Sequence, residues 1–498
     1  MKVFPSLILS ALCCSGHAAS IDTRDSLVDC LRSSLSSAGS VHLPGDSSFT
    51  SETMRFSSGY APTFNVVSEV ANEYDVRASI TCATKTGTPF LFTGPRHGFY
   101  TGFEKLQNAL EIFTGAFYQV DVDEQASTMT IGGAAVFKNV SKALQAVGKN
   151  IPVGGGPCVG MVGATLGAGI GRLEGLYGLM VDSLLSVRLM LPNTTVVEVS
   201  QESNPDLFWG IKGAGFNFGY VLNATYRVYD APAKGTNFNA DFEFPLNSTR
   251  AFYQALHDRA GKLPAPLCLS TSLSLSATEN VTTLQVNAVY AGPEEEGRAA
   301  VQFLQDIGTD IRRNYSQVAW NTVPENAFFL AGNTLLDVCG GTYGRRVVRG
   351  VAFNHLDVDA HVKMSEQLNY LVTKYPQMST SDNGMYFCAT QAVQAQSKDA
   401  SAYPWRQAIG HQTWGFVYAD NTTTDADIEH LPEKIRDTIA ATAGTDGLNT
   451  YIGFSNGDEP PEAIWSREHL QRLAKLKKEY DPLGLFSSYH PIPTSDCA

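Results

Sequence analysis

The sequence predicts an α+β fold organised as two domains. A chain of 498 residues is long for one hydrophobic core, which suggests two domains or one domain with a large insertion. From about residue 237 to residue 445, strand patterns such as LSTSLSLSA alternate with helical patterns such as those at 293–307 and 358–375. This alternation is typical of an α+β domain built on an antiparallel sheet. The segment APAKG at 231–235 is the predicted boundary between the domains.

The first domain is predicted to mix short helices with short strands. Apolar residues at helical spacing predict helices around 27–35 and 140–147, and a third helix begins after Asn204. Strands are predicted for VRASITCA (76–83), TPFLFTG (88–94), LLSVRLML (184–191), TTVVEVS (194–200) and YVLNATYRVYD (220–230). The dipeptide Pro-Asn at 192–193 is expected to join two of these strands as a pair.

The densest feature is the glycine stretch, GGGPCVGMVGATLGAGIGRLEGLYGLMVD at 154–182. Ten glycines fall within the 25 residues 154–178. Because glycine is costly to order, this density indicates backbone lying against something flat or anionic, with N–H groups turned toward it. A run of tight turns in a β-rich region is the alternative. A dinucleotide-binding βαβ fingerprint does not fit, because no strand–GxGxxG–helix unit with its acidic residue surrounds the glycines.

Composition and motif content restrict the function classes. Hydrophobic residues make up 43% and charged residues 17%, as in an ordinary globular protein. The net charge of -13 argues against partners such as nucleic acid or an anionic membrane surface. The sequence has no Cys/His spacing typical of zinc, no H-E-x-x-H motif and no G-x-S-x-G elbow. A metal site and a serine hydrolase are therefore not expected.

The N-terminus predicts a secretory signal peptide at 1–19. Lys2 precedes an apolar run at 3–14 that is too short to span a bilayer, and small residues follow at 16–19. Seven glycosylation sequons fit this export route: Asn139, Asn193, Asn223, Asn247, Asn280, Asn314 and Asn421. We therefore expect a secreted or secretory-pathway glycoprotein with no membrane span.

Seven cysteines remain after cleavage of the signal, so at least one is unpaired. They are Cys30, Cys82, Cys158, Cys268, Cys339, Cys388 and Cys497. We expect a disulfide between Cys30 and Cys82, a second between Cys339 and Cys388, and a free thiol at Cys158.

Six segments occur in an informative order: LFTGPRHGFYTGF, the glycine stretch, YGLMVDSLLSVRL, NPDLFWGIKGAGFNFG, YIGFSNGDE and LKKEYDPLGLF. Together they resemble the FAD-linked oxidases of the vanillyl-alcohol oxidase type, in the berberine-bridge-enzyme-like branch and its fungal members. The resemblance covers about 75–229 and 451–493, and between these segments only the rhythm of strands and helices matches. It implies a bilobal PCMH-type FAD-binding domain at 20–230, a substrate-binding domain at 231–445, and a C-terminal segment at 446–498 that completes the FAD domain.

The first motif usually reads R-S-G-G-H-S in this family, and its histidine bonds covalently to the flavin. Here residues 93–98 read TGPRHG, so the resemblance implies that His97 is the covalent anchor and that Gly94, Arg96 and Gly98 lie at the pyrophosphate. Pro95 has no N–H to offer a phosphate, a loss that the charge of Arg96 would compensate. A loop histidine without a flavin bond is the alternative.

The second motif is C-x-x-V-G in doubly linked members of the family. Aligning Val159 and Gly160 puts Gly156, and not Cys158, at the linking position. We therefore expect a single covalent bond, through His97, with Cys158 as a small apolar filler near the flavin. A second bond through Cys158 is the alternative. Val159 falls where the family gates oxygen access, and a small residue there resembles oxidases.

The resemblance assigns further residues to the FAD site. Residues expected along the isoalloxazine and ribityl chain are Gly160, Gly163, Thr165, Gly169 and Gly171. Asp182 resembles the acidic residue that closes the glycine-rich turn. Asn217 and Val221 are expected near the FAD.

Oxidation of an alcohol needs a group that removes the hydroxyl proton. The family often uses the tyrosines of a Y-x-N-Y segment, which here reads Tyr451-Ile452-Gly453-Phe454. Tyr451 is therefore the first catalytic candidate, with a packing role as the alternative. His411 and Tyr386 are further candidates, although a structural role suits His411 better.

The resemblance implies an O2-using FAD-linked oxidase, and we expect its substrate to be an alcohol or a C–H/C–N centre in a small, fairly apolar natural product. A carbohydrate oxidase is the second hypothesis. The third is a protein in which the flavin is structural and the pocket is a binding or cyclisation chamber. The substrate and the oligomeric state do not follow from the sequence.

Overall fold

The computed structural model describes residues 23–275, 281–330, 339, 344–375, 383–418 and 426–494. Their main sheets have four, five and seven strands, and a two-stranded pair is added. The predicted α+β architecture is therefore confirmed. The expected signal peptide, Asn280, Asn421 and Cys497 lie outside the described residues.

The four-stranded sheet forms the first lobe, in the order β1-β2-β4-β3. Strands β2, β4 and β3 are parallel, and β1 is antiparallel to β2. The elements of this lobe are α1 (Thr23–Ser34), β1 (Ser40–His42), α2 (Ser47–Thr53), β2 (Phe64–Glu69), α3 (Glu73–Thr86), β3 (Phe90–Thr93) and β4 (Ala109–Phe113).

The strand predicted at 76–83 is wrong, because this segment lies in helix α3. The helix begins after Asn72, whose side chain accepts a hydrogen bond from the backbone N–H of Asp75 at 3.1 Å. It ends at Gly87, which adopts the left-handed conformation with φ of 65°. The apolar residues of VRASITCA fit both the two-residue period of a strand and the 3.6-residue period of a helix. The capping residues Asn72 and Gly87 are the signals that indicate a helix.

The second lobe is an antiparallel sheet in the order β5-β6-β10-β8-β9. The predicted pairing of 184–191 with 194–200 is confirmed by the β8–β9 ladder. The elements are β5 (Val120–Asp123), β6 (Thr128–Gly132), α4 (Phe137–Ala146), β7 (Lys149–Asn150), α5 (Met161–Leu166), α6 (Glu174–Tyr177), α7 (Met180–Ser183), β8 (Leu184–Met190), β9 (Val196–Ser200), α8 (Pro205–Ala214), β10 (Tyr220–Arg227) and β11 (Tyr229–Asp230). The glycine stretch therefore runs through turns and the short helices α5, α6 and α7.

The seven-stranded sheet is fully antiparallel, in the order β15-β12-β14-β13-β17-β18-β16. Its buried phenylalanines and leucines form a core separate from that of the second lobe. The elements are β12 (Thr236–Pro245), α9 (Thr249–His257), β13 (Leu267–Leu275), β14 (Thr282–Tyr290), α10 (Glu294–Ala300), α11 (Gln302–Gln305), β15 (Arg312–Ala319), α12 (Val323–Asn326), β16 (Arg345–Phe353), α13 (Val358–Lys374), β17 (Asn383–Cys388), α14 (Gln391–Gln394), β18 (Gly410–Tyr418) and α15 (Ala426–Ala440).

The C-terminal segment packs against the second lobe. Its helix α16 (Pro461–Tyr480) contacts α8, and Trp465 Nε1 donates to the carbonyl of Gly213 at 2.9 Å. Asn217 then holds the chain beyond the helix, since its amide donates to the carbonyl of His490 and accepts from the backbone N–H of Ile492. Among the described residues, no helix is both long and apolar enough to cross a membrane.

Three disulfides cross-link the described chain. The bond between Cys30 and Cys82 confirms the prediction and ties α1 to α3. The predicted pairing of Cys339 with Cys388 is wrong, because Cys388 lies opposite Cys268 on the neighbouring strand and bonds to it. Cys339 bonds to Cys158, so the expected free thiol at Cys158 is also wrong.

Candidate active site

A cavity of about 980 Å³ is lined by both lobes, the seven-stranded sheet and the C-terminal segment. This volume is at the upper end of the range of roughly 300–1,000 Å³ that is typical of ligand pockets. The largest contributions come from the segments 90–99, 154–160, 219–221 and 451–454. The cavity therefore lies where the sequence predicts the FAD site.

The loop 94–98 follows β3 directly and forms one side of the cavity. Arg96 adopts a left-handed backbone conformation with φ of 61°, which is unfavourable for a residue with a side chain. Its guanidinium donates to the carbonyls of Ser51 and Glu52 at the end of α2. Its own carbonyl accepts from the backbone N–H of Phe56 at 3.2 Å. These bonds fix the loop against α2. They also engage one nitrogen of the Arg96 guanidinium, the group whose charge was expected to hold the pyrophosphate.

His97 follows Arg96 and lies in the cavity wall, with its ring 4.7 Å from the ring of Phe56. Burial, together with the positive charges of Arg346 and Arg96, lowers the pKa of His97 from 6.5 to about 4. The imidazole is therefore neutral near pH 7, and one of its two ring nitrogens carries an unprotonated lone pair. A neutral imidazole is the form that can bond to an electrophilic carbon.

The glycine stretch supplies the opposite side of the cavity through residues 154–160 and through α5. A side chain at Gly160 would contact Pro95 at 3.0 Å, and one at Gly155 would contact Tyr386 Oη at 3.0 Å. At Gly163 no atom lies within 4 Å of the Cβ position, so this face of α5 is open to the cavity. The segment 154–160 is therefore mostly main chain, interrupted by Pro157, Cys158 and Val159, and α5 adds the side chains of Val162 and Leu166 beside Gly163.

Most of the predicted cofactor-binding residues lie in the cavity wall: Gly94, Arg96, His97, Gly98, Gly156, Cys158, Val159, Gly160, Gly163 and Val221. Five lie outside it: Thr165, Gly169, Gly171, Asp182 and Asn217. Thr165 accepts from Tyr226 Oη at 3.1 Å. Asp182 forms a buried ion pair with Arg406, with N–O distances of 2.9 and 2.8 Å.

The remaining three have structural contacts that explain their identity. Gly169 has φ of 77° and lies against Met180, and Gly171 lies against the carbonyl of Val153. Asn217 anchors the C-terminal segment, as described above. These five residues support the fold around the site and are not among the residues that line the cavity.

Tyr451 and Tyr386 both line the cavity. Tyr451 Oη donates to the carbonyl of Ala164 in α5 at 3.1 Å, and burial raises the pKa of Tyr451 far above its usual value of 10. Its proton is therefore held by the main chain. The ring of Tyr386 is stacked on Phe454, with centroids 6.0 Å apart, and its hydroxyl lies next to Gly155. Tyr386 thus presents its hydroxyl near the wall formed by the glycine stretch.

His411 lies outside the cavity wall, within β18 of the seven-stranded sheet. It is opposite Ala352 in β16 and Tyr386 in β17. Burial lowers the pKa of His411 to about 3, so the side chain is a neutral core histidine. This position gives no support to a catalytic role for His411.

Several wall residues had not been identified from the sequence. The cations Arg55 and Arg346 both line the cavity, and each lies over an aromatic ring: Arg55 at 4.6 Å from Phe103 and Arg346 at 4.0 Å from Phe56. Tyr489 also lines it, close to the C-terminus. These residues come from distant segments without a shared motif. The signal that could have drawn attention to Arg346 is the isolated Arg345-Arg346 pair within an apolar strand pattern.

The chemistry of the wall fits FAD. A buried main-chain face accepts a flat ring, since Gly163 leaves open space where a side chain would stand. Two guanidinium groups face a cavity whose described lining contains no carboxylate, which suits a ligand with two phosphates. Burial lowers the pKa of Arg55 only to about 10, so this side chain remains a cation near pH 7.

Comparison with known proteins agrees with this fit. A family model for an FAD binding domain matches residues 64–200, and a second, described as berberine and berberine like, matches residues 450–493. The chain is 33% identical over 461 residues to the FAD-linked oxidoreductase tazL of Aspergillus terreus, covering 92% of each chain.

Solved structures share the fold at lower identity. The carbohydrate oxidase from Microdochium nivale superposes with a TM-score of 0.81 at 19% identity, covering 94% of this chain and 99% of that one. Glucooligosaccharide oxidase from Acremonium strictum, whose FAD is 6-S-cysteinyl and 8α-N1-histidyl, gives a TM-score of 0.78 at 20% identity with the same coverage. The chain therefore belongs to the FAD-linked oxidoreductases, in their berberine-bridge-enzyme-like branch.

Proposed function

We propose that this enzyme is an O2-using oxidase whose FAD is bonded covalently to His97 alone. Its proposed substrate is an alcohol or a C–H/C–N centre in a small, fairly apolar natural product. The observation that carries the proposal is a neutral His97 in the wall of a cavity whose opposite face is mostly main chain. Bound FAD would supply a hydride acceptor for the substrate carbon and a route for the electrons to O2, and the residues named above would hold it.

The proposal of a single covalent bond to FAD rests on the residues at the second linking motif. Gly156 stands where doubly linked relatives carry cysteine, and it has no side chain with which to react. The sulfur of the nearby Cys158 is bonded to Cys339 and is not available as a thiolate. The imidazole of His97 is then the one nucleophile offered by the two linking motifs.

The acid/base group is proposed to be Tyr386. The described lining residues include no carboxylate that could accept the hydroxyl proton of the substrate. A tyrosine is therefore the best remaining group. Tyr451 donates its proton to Ala164, which suits a role in fixing α5 and the substrate. The buried cation Arg172 interacts electrostatically with Tyr386, which places a fixed positive charge near the proposed proton acceptor.

The face of the cavity opposite the glycine stretch favours the proposal of an apolar substrate. The rings of Tyr386 and Phe454 and the side chains of Ile452 and Val417 make this face aromatic and aliphatic. The charge of Arg346 beside His97 is the main polar group from the seven-stranded sheet. Such a face favours a hydroxylated aromatic or terpenoid-like compound over a fully polar one.

Carbohydrate oxidation is the second candidate. Several solved neighbours that share the fold carry that activity in their names, among them the two described above. The stacked rings of Tyr386 and Phe454 also offer flat faces on which a sugar ring can pack. The mainly apolar face opposite the glycine stretch makes this candidate the weaker one.

Export through the secretory pathway completes the proposal. It rests on the signal pattern at 1–19, the sequons and the disulfide between Cys30 and Cys82.

The test is peroxide formation with turnover in two substrate panels. The purified protein is supplied with hydroxylated aromatic and terpenoid metabolites in one panel and with mono- and oligosaccharides in the other. Peroxide formed with the metabolites supports the proposal, and peroxide formed with the sugars alone transfers it to the second candidate. A protein that contains one FAD per chain, but whose flavin absorbance is bleached by no compound of either panel, would favour a non-redox role and contradict the oxidase proposal.

A further inference from the structure

A cluster of metal-ligating side chains lies in the first lobe, outside the cavity wall. It consists of His42 at the end of β1, Glu52 in α2 and Glu69 at the end of β2. The ligand atoms of the three residues all lie within 4.8 Å of one another. Neither the oxidase activity nor any motif of the sequence accounts for this cluster.

The fold brings the three residues together by two separate arrangements. In the antiparallel β1–β2 ladder, His42 lies opposite Val67, so Glu69 is its diagonal neighbour on the same face. Helix α2 packs on β2 and contributes Glu52 to the cluster. The connection from β1 to α2 is held by Asp46, whose carboxylate accepts from the backbone N–H of Leu43 at 2.8 Å.

The distances match those of a coordinated divalent cation. Ligands about 2.1 Å from a tetrahedral zinc ion are about 3.4 Å apart. His42 Nε2 is 3.1 Å from Glu69 Oε2 and 3.7 Å from Glu52 Oε1. One imidazole and two carboxylates are ligands that zinc accepts, and they would neutralise its charge.

A second observation points to a ligand at this place. Glu52 is buried, with only 7% of its surface exposed, yet its Oε2 has no hydrogen-bond partner. A buried carboxylate oxygen without a partner is unfavourable unless a cation or a donor satisfies it. Glu69, by contrast, has a side chain that is 42% exposed, so the cluster is open on that side to water or to an entering ion.

We propose that His42, Glu52 and Glu69 form a binding site for a divalent transition-metal cation of the zinc type, with water as the fourth ligand. The cation would fix α2 to the β1–β2 pair. Because the carbonyl of Glu52 accepts from Arg96, it would also brace the loop that precedes His97. This role is structural and is independent of the proposed oxidase activity.

The test measures metal uptake by the oxidised, untagged holoprotein. After treatment with chelator and removal of the chelator, the protein is titrated with Zn²⁺, and bound metal is measured by elemental analysis and calorimetry. Expected are one zinc ion per chain and a rise in the unfolding temperature. Glu69→Gln and His42→Asn should each weaken zinc binding by about 10–100-fold or more. That range is typical when a group that hydrogen-bonds a metal ligand is removed, and loss of a ligand itself should cost at least as much.

A matched control is His430→Asn. His430 also lies 3.7 Å from a glutamate oxygen, that of Glu433, but has no place in the three-residue cluster. This variant should bind zinc like the wild type. The proposal is overturned if the wild type takes up no zinc, or if it binds zinc with unchanged affinity after both cluster substitutions. The three residues would then be a polar cluster held by the hydrogen bond between His42 and Glu69, without a metal. FAD content measured in parallel distinguishes this failure from that of the proposed oxidase function.

Discussion

The two faces of the cavity are built in different ways. The face formed by the loop 94–98 and the glycine stretch is largely main chain, with His97 as its reactive side chain. The opposite face consists of side chains such as Tyr386, Phe454 and Val417, which come from three separate segments. A main-chain face fits one flat ring and tolerates little change, whereas a side-chain face can be altered one residue at a time. In the proposed function, the first face holds the cofactor and the second face holds the substrate.

The largest effect is expected from filling the main-chain face. Gly163→Leu places a branched side chain in the open space beside α5, so the variant should purify without FAD. Gly163→Ala adds one methyl group and favours the helix, so it should remain yellow. Flavin absorbance per folded chain, with far-UV circular dichroism as the check on folding, measures both. A yellow Gly163→Leu variant would show that the flavin does not lie on this face.

The next effect concerns the opposite face. Tyr386→Phe removes the proposed proton acceptor and should slow flavin reduction by about 10²–10⁴-fold. Tyr451→Phe removes only the hydrogen bond to Ala164 and should cost much less. Stopped-flow reduction with equal FAD content separates the two variants. The assignment fails if Tyr451→Phe is the slower enzyme.

The buried His411 lies in the seven-stranded sheet behind the second face and makes the stability of this sheet depend on pH. The folded pKa of His411 is about 3, below the unfolded value of 6.5, so the unfolded chain binds its proton more readily. The stability contribution is complete above pH 6.5 and falls as the pH drops toward 3. Between pH 6.5 and 4 the difference amounts to about 3 kcal/mol.

His411→Asn should therefore flatten the acid limb of the stability curve, which urea unfolding at several pH values measures. Substitution of the exposed His430 by Asn should leave the limb unchanged. An unchanged slope in His411→Asn would mean that His411 is not buried in its neutral form.

The smallest effect is expected for oxygen access. Val159→Leu adds bulk to the main-chain face and should slow reoxidation of the reduced enzyme by about tenfold, or ~1.4 kcal/mol in barrier. Val417→Leu makes the same change on the other face and should alter the KM of the substrate instead. Stopped-flow mixing of reduced enzyme with O2 distinguishes them. Equal slowing by both variants would remove the special role of Val159.

The sequence predicted the main-chain face better than the side-chain face, for a physical reason. Backbone that lies against a ring needs glycine, and glycine leaves a dense local pattern such as that at 154–178. Arg55, Arg346 and Tyr489 meet only in the folded chain, so no spacing reveals them. The pairing of Cys268 with Cys388 was missed for the same reason, since it depends on strand order.

Another error arose from local ambiguity. The segment 76–83 carries apolar residues at both periods, and the caps at Asn72 and Gly87 were the deciding signal. The assignment of Gly169 and Gly171 to the cofactor stays a prediction, and close packing against Met180 and Val153 is a further reason for glycine at both positions. A dense glycine pattern thus has two physical causes, a ligand that lies on the main chain and close packing within the fold.

The most direct test of the account is to locate the flavin on the denatured chain. The protein is precipitated with acid, digested, and its yellow peptides are sequenced by mass spectrometry. The account predicts that the colour stays with the protein and that all flavin is found on the peptide containing His97. Flavin that is released by acid, or that is found on the peptide containing Cys158, would contradict it.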